Sequence, residues 1–209
     1  MLDAHKLRFE SKLILDYVSP QGGQVTAVRG SLVVANHKLL KAAGLYERYL
    51  GMLPPDHLDI ANNTLAASWV AAEHNMIHLH TVDALQLSDQ ELSRMGETLG
   101  AHMLDSLFAT LMRSARNAGA EGVWLAMKQS DRIFGRVYQG GGCSVIQRGP
   151  KDAVYEIHGI PFAGSPVFRM QHCAFLRGVI MLLSKTCVVK PTRPREGKPD
   201  SLAVSISWV

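Results

Sequence analysis

The stretch CSVIQRGPKDAVYEIHGIP, residues 143–161, decides the fold. Its two runs, CSVIQRG and AVYEIHGIP, have strand character, and Pro150, Lys151 and Asp152 between them are turn formers, so it predicts a β-hairpin. The segment FRMQHCAFLRGVIMLLSKT, residues 168–186, is largely apolar and reads as a helix. CVVKPTRP and SLAVSISWV then form a second hairpin, whose last strand alternates Leu202, Val204, Ile206 and Trp208. The order ββ-α-ββ implies an antiparallel sheet backed by a helix.

Upstream of this unit the pattern is helical. Ser31 stands where an N-cap belongs, Leu32, Val33, Leu39, Leu40 and Ala43 share one helical face, and Gly44 is placed to end that helix. A short helix carrying Leu45, Tyr49 and Leu50 is stopped by Pro54 and Pro55. With Asn62 and Asn63 as its cap, a further helix buries Leu65, Trp69, Ala72, Met76 and Leu79 as one stripe. Ser88 and Glu91 form a capping box that opens a long helix with Leu92, Met95, Leu99, Met103, Leu107 and Leu111 inward, ended by Gly119. The fold class expected is therefore α+β, an N-terminal helical layer followed by the ββ-α-ββ sheet. Residues 1–24, with alternation in LRFESKLILDYV and a flexible joint at SPQGGQ, read as an N-terminal extension or edge strand, and residues 25–209 as a single α+β domain.

Composition narrows the function classes. The chain is 47% hydrophobic and 19% charged, enough apolar mass for a core, with no apolar run near the roughly 20 residues needed to span a bilayer. No signal peptide is visible, and three widely spaced cysteines without a CxxC suit reduced thiols, so the expectation is a cytoplasmic protein. Residues 1–120 hold 10 basic and 12 acidic side chains, residues 121–209 hold 12 and 6. The basic residues of the C-terminal part are scattered, and their densest group (Lys190, Arg193, Arg195, Lys198) reads as a solvated surface loop, which argues against nucleic acid as a partner.

The histidines are the main candidates for site chemistry. His74 and His78 are four apart, as in helical zinc sites, but Asn75 stands where a zincin has its catalytic Glu. On a helix that runs back through Trp69 the pair lies about 140° from the buried stripe, so both are expected at the solvent face and remain weak metal candidates. His80 suits a helix C-terminus, and His102 and His158 read as hydrogen-bonded boundary residues. His172 and Cys173 are adjacent on a helix and point about 100° apart, so they form no dyad. Gly140–Gly142 precede a strand and lack a following GK[ST], which favours a bulged turn over a phosphate loop. With no catalytic motif present, the balance is against an enzyme, and no catalytic residue is assigned.

The segments VRGSLVVANHKLLKAAG and LGAHMLDSLFATLM and the terminal VSISWV, with Arg94-Met95-Gly96, Gly100 and Trp208, resemble an uncharacterised myxobacterial-type family of similar length. The match covers about residues 25–209, on short and mostly structural motifs. That family is similar in element order to the ligand-binding fold shared by haem–nitric-oxide domains, 4-vinyl-reductase-type domains and TRAPP vesicle-tethering subunits. The resemblance implies a small-molecule or lipid pocket between helices and sheet, and a dimer. The haem–nitric-oxide family carries Leu-Asp-x-Leu-His with the axial histidine last. Here Leu104-Asp105-Ser106-Leu107-Phe108 puts a phenylalanine there, and no Tyr-x-Ser-x-Arg stretch is present. On this ground the expectation is no cofactor, neither haem nor metal.

The leading functional expectation is a non-enzymatic, dimeric sensory or regulatory domain with an apolar pocket for a small molecule or lipid, walled by Phe108, Met112, Phe175 and Met181. The alternatives are a protein-interaction scaffold without a ligand and, more weakly, a haem or metal sensor using His74, His78 or His80.

Overall fold

The computed structural model describes residues 10–16, 23–101 and 109–209. Strand β1 (Lys12–Leu15) precedes β2 (Ala27–Arg29), α1 (Gly30–Ala42), α2 (Tyr46–Met52), α3 (Pro55–Asn63), β3 (Trp69–Ala71), α4 (Ala72–Ala84) and α5 (Asp89–Ala101). Next come α6 (Ala109–Asn117), a 3-10 turn, α7 (Gly122–Met127), α8 (Ser130–Val137), β4 (Tyr138–Gln139), β5 (Gly142–Gly149) and β6 (Asp152–His158). Helix α9 (Pro166–Met181) and strands β7 (Cys187–Thr192) and β8 (Leu202–Trp208) complete the α+β architecture. None of the described helices is long and apolar enough to cross a membrane.

The main sheet is antiparallel in the order β1-β5-β6-β8-β7. Register pairs Val145 with Tyr155, Tyr155 with Val204, and Ile157 with both Cys143 and Leu202. These side chains share one face because strand residues alternate, and all are buried against the helices. Trp124 of α7 packs edge-on against Trp208 at 5.0 Å and donates its indole N–H to the Pro150 carbonyl at 2.8 Å. A second small sheet, β3-β2-β4, joins the start of α1 to the starts of α4 and β5.

Both expected hairpins form, and β1 occupies the sheet edge that alternation in residues 7–18 suggested. Ser88 and Glu91 make the expected reciprocal cap, and Gly44 and Gly119 take positive φ after α1 and α6. Three expectations are corrected. The residue preceding α1 is Arg29 rather than Ser31, because Gly30, tucked beneath the Leu65 carbonyl where a Cβ would collide, already has helical backbone. Asn62 and Asn63 end α3 instead of capping the next helix. Trp69 lies in β3 and Leu65 is 72% exposed, so neither belongs to the helix that carries His74 and His78.

The basic C-terminal loop is also not plainly solvated. The backbone N–H and Nε of Arg195 donate to the two carboxylate oxygens of buried Glu156 at 2.8 and 3.1 Å, and its Nη2 donates to Ser144 Oγ at 2.9 Å. Ser144 and Ser201 flank His158 at 3.0 and 3.4 Å, so the loop seals the outer face of the sheet.

Helices α5 and α9 touch backbone to backbone. A Cβ on Gly96 would strike the Gln171 carbonyl, one on Gly100 the Phe175 carbonyl, and one on Gly178 the Glu97 carbonyl. Replacing Gly100 by Ala should force these helices apart and cost about 1–3 kcal/mol, a drop of several degrees in thermal midpoint by calorimetry. Gly51→Ala in α2, where nothing lies within 4 Å, should instead raise stability by about 0.5–1 kcal/mol. Arg195→Ala, which leaves the Glu156 carboxylate buried with fewer partners, should cost about 2–3 kcal/mol in urea titration.

Candidate functional site

A partly open cavity of about 570 Å³ lies between the helices and the sheet, within the range of small-molecule and cofactor sites. Helix periodicity builds its walls. Phe168, Gln171, His172 and Phe175 follow the i, i+3, i+4, i+7 spacing of one face of α9. Asn75, His78 and Leu79 come from α4, and Leu32, Ala35 and Asn36 from α1. Phe134, Val137 and Tyr138 close the side formed by α8 and β4, and Tyr155 projects from β6. Arg29, Ala66, Ala67 and Arg136 line the open side. The Arg29 guanidinium sits 4.0 Å over the Trp69 ring and donates to the Ala67 and Arg136 carbonyls at 3.0 and 3.3 Å.

The lining is mostly apolar, and its few polar groups are incompletely bonded. Among the described residues, six buried side-chain atoms have no hydrogen-bond partner: Asn36 Oδ1, His78 Nε2, Gln171 Nε2 and His172 Nε2 belong to side chains of the cavity wall, and His37 Nε2 and His74 Nε2 to side chains that do not line it. Each such group costs about 1–3 kcal/mol. Asn36 keeps one bond, its amide donating to the Leu32 carbonyl at 3.0 Å. His78 Nδ1 is 2.9 Å from the Tyr49 hydroxyl. The His172 ring stacks with Phe168 at 5.4 Å, Tyr155 at 6.1 Å and Phe175 at 6.3 Å.

Behind His78 lies a second group of imidazoles. His37 is 5.9 Å from the His78 ring and packs against Tyr46 and Tyr49. His74 and His57 stack at 5.1 Å, with their Nδ1 atoms 2.9 Å apart. Burial lowers the pKa of His78 to about 3, with His37 and His74 adding to the effect. Burial first, then Lys41, takes His37 to about 4; burial, then His57 and His37, does the same for His74; burial alone takes His172 to about 4. These rings are neutral at neutral pH. The described residues bring together no set of three or more His, Cys, Asp or Glu side chains able to hold a metal ion by themselves.

Of the residues expected to wall a pocket, Phe175 lies on this cavity. Met112 is buried in α6 away from the lining, and Met181 is 43% exposed at the end of α9. Phe108 lies outside the described residues, as does His102. The solvent-facing placement of His74 and His78 is corrected, for both are 1% exposed. The outward placement holds only on a helix that runs through Leu65 and Trp69, whereas α4 begins at Ala72 and Trp69 lies in β3. Gln171 and His172 line the cavity without an expectation from the sequence; their signal is two adjacent uncharged polar side chains on a largely apolar helix whose other polar residues, Arg169 and Arg177, are charged.

No family model matches the chain, and no curated protein matches it, so the myxobacterial-type resemblance has no support beyond its short motifs. Solved structures do match. An Fe(II) unliganded H-NOX protein from K. algicida superposes with a TM-score of 0.60 at 11% identity, over 87% of this chain and 96% of that one. The fold is that of an H-NOX domain. An H-NOX protein from S. oneidensis, a triple mutant in the Fe(II) ligation state, gives 0.54 at 10% identity with the same coverages. A structure described as modulating haem redox potential through protein-induced porphyrin distortion gives 0.51 at 12%, over 86% of this chain and 94% of that one.

These neighbours overturn the expectation of no cofactor. That expectation rested on two absent motifs, while the H-NOX neighbours are described as Fe(II) and haem proteins. A motif test at one position also ignores imidazoles supplied by other helices, and here α4 and α9 each place one on the cavity wall.

Stability should fall on acidification. The folded-state pKa of His78 lies below its unfolded value near 6.5, so the unfolded chain takes up the proton first. Stability is full above about pH 6.5 and declines as pH falls toward the folded value; at pH 5 this one residue costs about 2 kcal/mol. Thermal midpoints between pH 7.5 and 5 check this, and His78→Gln should flatten part of the slope.

Proposed function

We propose that the protein is a ligand-binding sensory domain, with the cavity as its site and an iron tetrapyrrole as the ligand class. One observation carries the reading: of the residues lining an apolar cavity in an H-NOX fold, four have a buried polar atom without a partner among the described residues, two of these being imidazole nitrogens. Neutral imidazole is the commonest protein ligand for such metals. The residues fit the group. His78 and His172 offer nitrogen donors, Phe134, Phe168, Phe175 and Tyr155 offer ring faces, and Arg29 and Arg136 on the open side offer positive charge to carboxylates. When bound, an iron tetrapyrrole would supply a coordination position for a small gas or a change of redox state. The chain's own part is to hold the group, exclude water with its aromatic walls and pass any shift to the elements behind them.

An apolar molecule or lipid without iron suits the same walls but leaves the imidazole nitrogens unpaired. The partly open cavity disfavours a scaffold without a ligand. The homodimer or protein partner implied by the resemblance remains part of this proposal, and sedimentation at micromolar concentration tests it.

Titrating the purified full chain with haemin should give a Soret band saturating near one equivalent, with the matching mass in native mass spectrometry. Protoporphyrin without iron should bind more weakly. Failure to take up haem from stoichiometric haemin would overturn the tetrapyrrole reading; co-purification of a lipid or other organic mass would redirect it to the apolar class.

A further inference from the structure

We infer that His78 would supply the nitrogen ligand to an iron tetrapyrrole bound in this cavity, with Tyr49 as the residue that positions it. The inference rests on the tetrapyrrole reading above and names a donor on α4; in the sequence, Phe108 stands where the Leu-Asp-x-Leu-His pattern ends in histidine.

His78 meets the requirements of a metal-binding imidazole on three counts. It lies on the cavity wall, and its Nε2 is buried with no hydrogen-bond partner among the described residues. Its other nitrogen is engaged, with the Tyr49 hydroxyl 2.9 Å from Nδ1. Ligating histidines characteristically have the second ring nitrogen hydrogen-bonded, which sets both tautomer and ring orientation. Here the binding tautomer carries its proton on Nδ1, donates it to the Tyr49 oxygen, and leaves the Nε2 lone pair for the metal. No proton has to leave when the bond forms.

The surroundings hold this arrangement. Tyr49 is fully buried, and its ring meets the His78 ring edge-on at 5.4 Å. The His37 ring lies against both at 5.5 and 5.9 Å. Burial also keeps the imidazole unprotonated well below neutral pH. Among the described residues, His172 is the competing donor on the cavity wall. It is held by ring stacking, and among the described residues no hydrogen bond fixes its tautomer, so its position suits contact with a ring face.

The test is spectroscopic. Full-length wild type, His78→Met, His78→Gly, His172→Gln and Tyr49→Phe are each loaded with haemin, and haem content is measured separately from the Soret position and the electron paramagnetic resonance signature. Wild type and His172→Gln should share one imidazole-ligated spectrum. His78→Met, close in volume, should keep its fold by circular dichroism while its spectrum changes to that of a thioether or five-coordinate centre. His78→Gly should regain the wild-type spectrum on adding free imidazole. Tyr49→Phe should keep the imidazole signature and lose about 10–100-fold in haem affinity.

A His78→Met spectrum identical to wild type at equal haem content overturns the assignment and leaves the tetrapyrrole reading intact. Loss of the imidazole signature in His172→Gln instead also overturns it. No haem uptake by the wild type overturns both.

Discussion

The contact between α5 and α9 is the constraint on which the rest of the structure depends. Gly96, Gly100 and Gly178 bring the two backbones together so closely that no Cβ fits at any of the three positions. Gly96 and Gly100 meet the carbonyls of Gln171 and Phe175, on the helix that also presents Phe168, Gln171, His172 and Phe175 to the cavity, and Gly178 of that helix meets the Glu97 carbonyl of α5. One face of α9 is therefore pinned by α5 while the neighbouring face forms the wall. A Glu97–Arg177 ion pair at 3.3 Å spans the same contact but is exposed and adds little. Glycine packing sets the wall's position.

The sheet supplies the opposing constraint. Tyr155 is locked by register, opposite Val145 on β5 and Val204 on β8, and it reaches the cavity from a fully paired central strand. Its outer-face neighbour Glu156 is 1% exposed and held by Arg195, so β6 is covered on both faces. Arg195 thus secures a strand whose other side faces the cavity. The cavity lies between two elements fixed from behind, α9 by glycines and β6 by an ion pair.

How much of this was legible follows from which signals are local. The hairpins, α9, and the Ser88–Glu91 cap are written in periodicity and turn chemistry within a few residues, and all of them form. Helices α3 and α8 are short and mix polar with apolar residues, and α7 is six residues with no polar face to set a period, so their pattern is too brief to stand out. Strands β2, β3 and β4 have two or three residues each and exist only because they pair with one another, which no window of sequence records. The error at Trp69 had the largest consequence. Placing it on a helix rotated the phase of α4 and turned His74 and His78 outward, although both are buried. The α5–α9 contact was half visible: Gly96 and Gly100 stood out in the sequence, but their partner, the backbone of Gln171 and Phe175, did not.

The imidazoles show why a motif and a site are different kinds of object. A motif fixes one residue at one position on one helix. A cavity collects side chains from whatever elements surround it, and here those are β2, α1, α4, α5, α8, β4, β6, α9 and the segment before β3. A phenylalanine at position 108 removes one donor, but it does not explain why His78 of α4 and His172 of α9, both on the cavity wall, keep a ring nitrogen buried and unpaired at a cost of about 1–3 kcal/mol, as His37 and His74 do away from the lining. Apolar side chains of similar size would fill those positions without that cost, as Leu79 and Phe175 do on the same two helix faces. Tyr49 sharpens the point, because its hydroxyl is spent on the one nitrogen of His78 that a bound group would not use. Polar groups held at that expense in an otherwise apolar wall have an explanation when something in the cavity completes them.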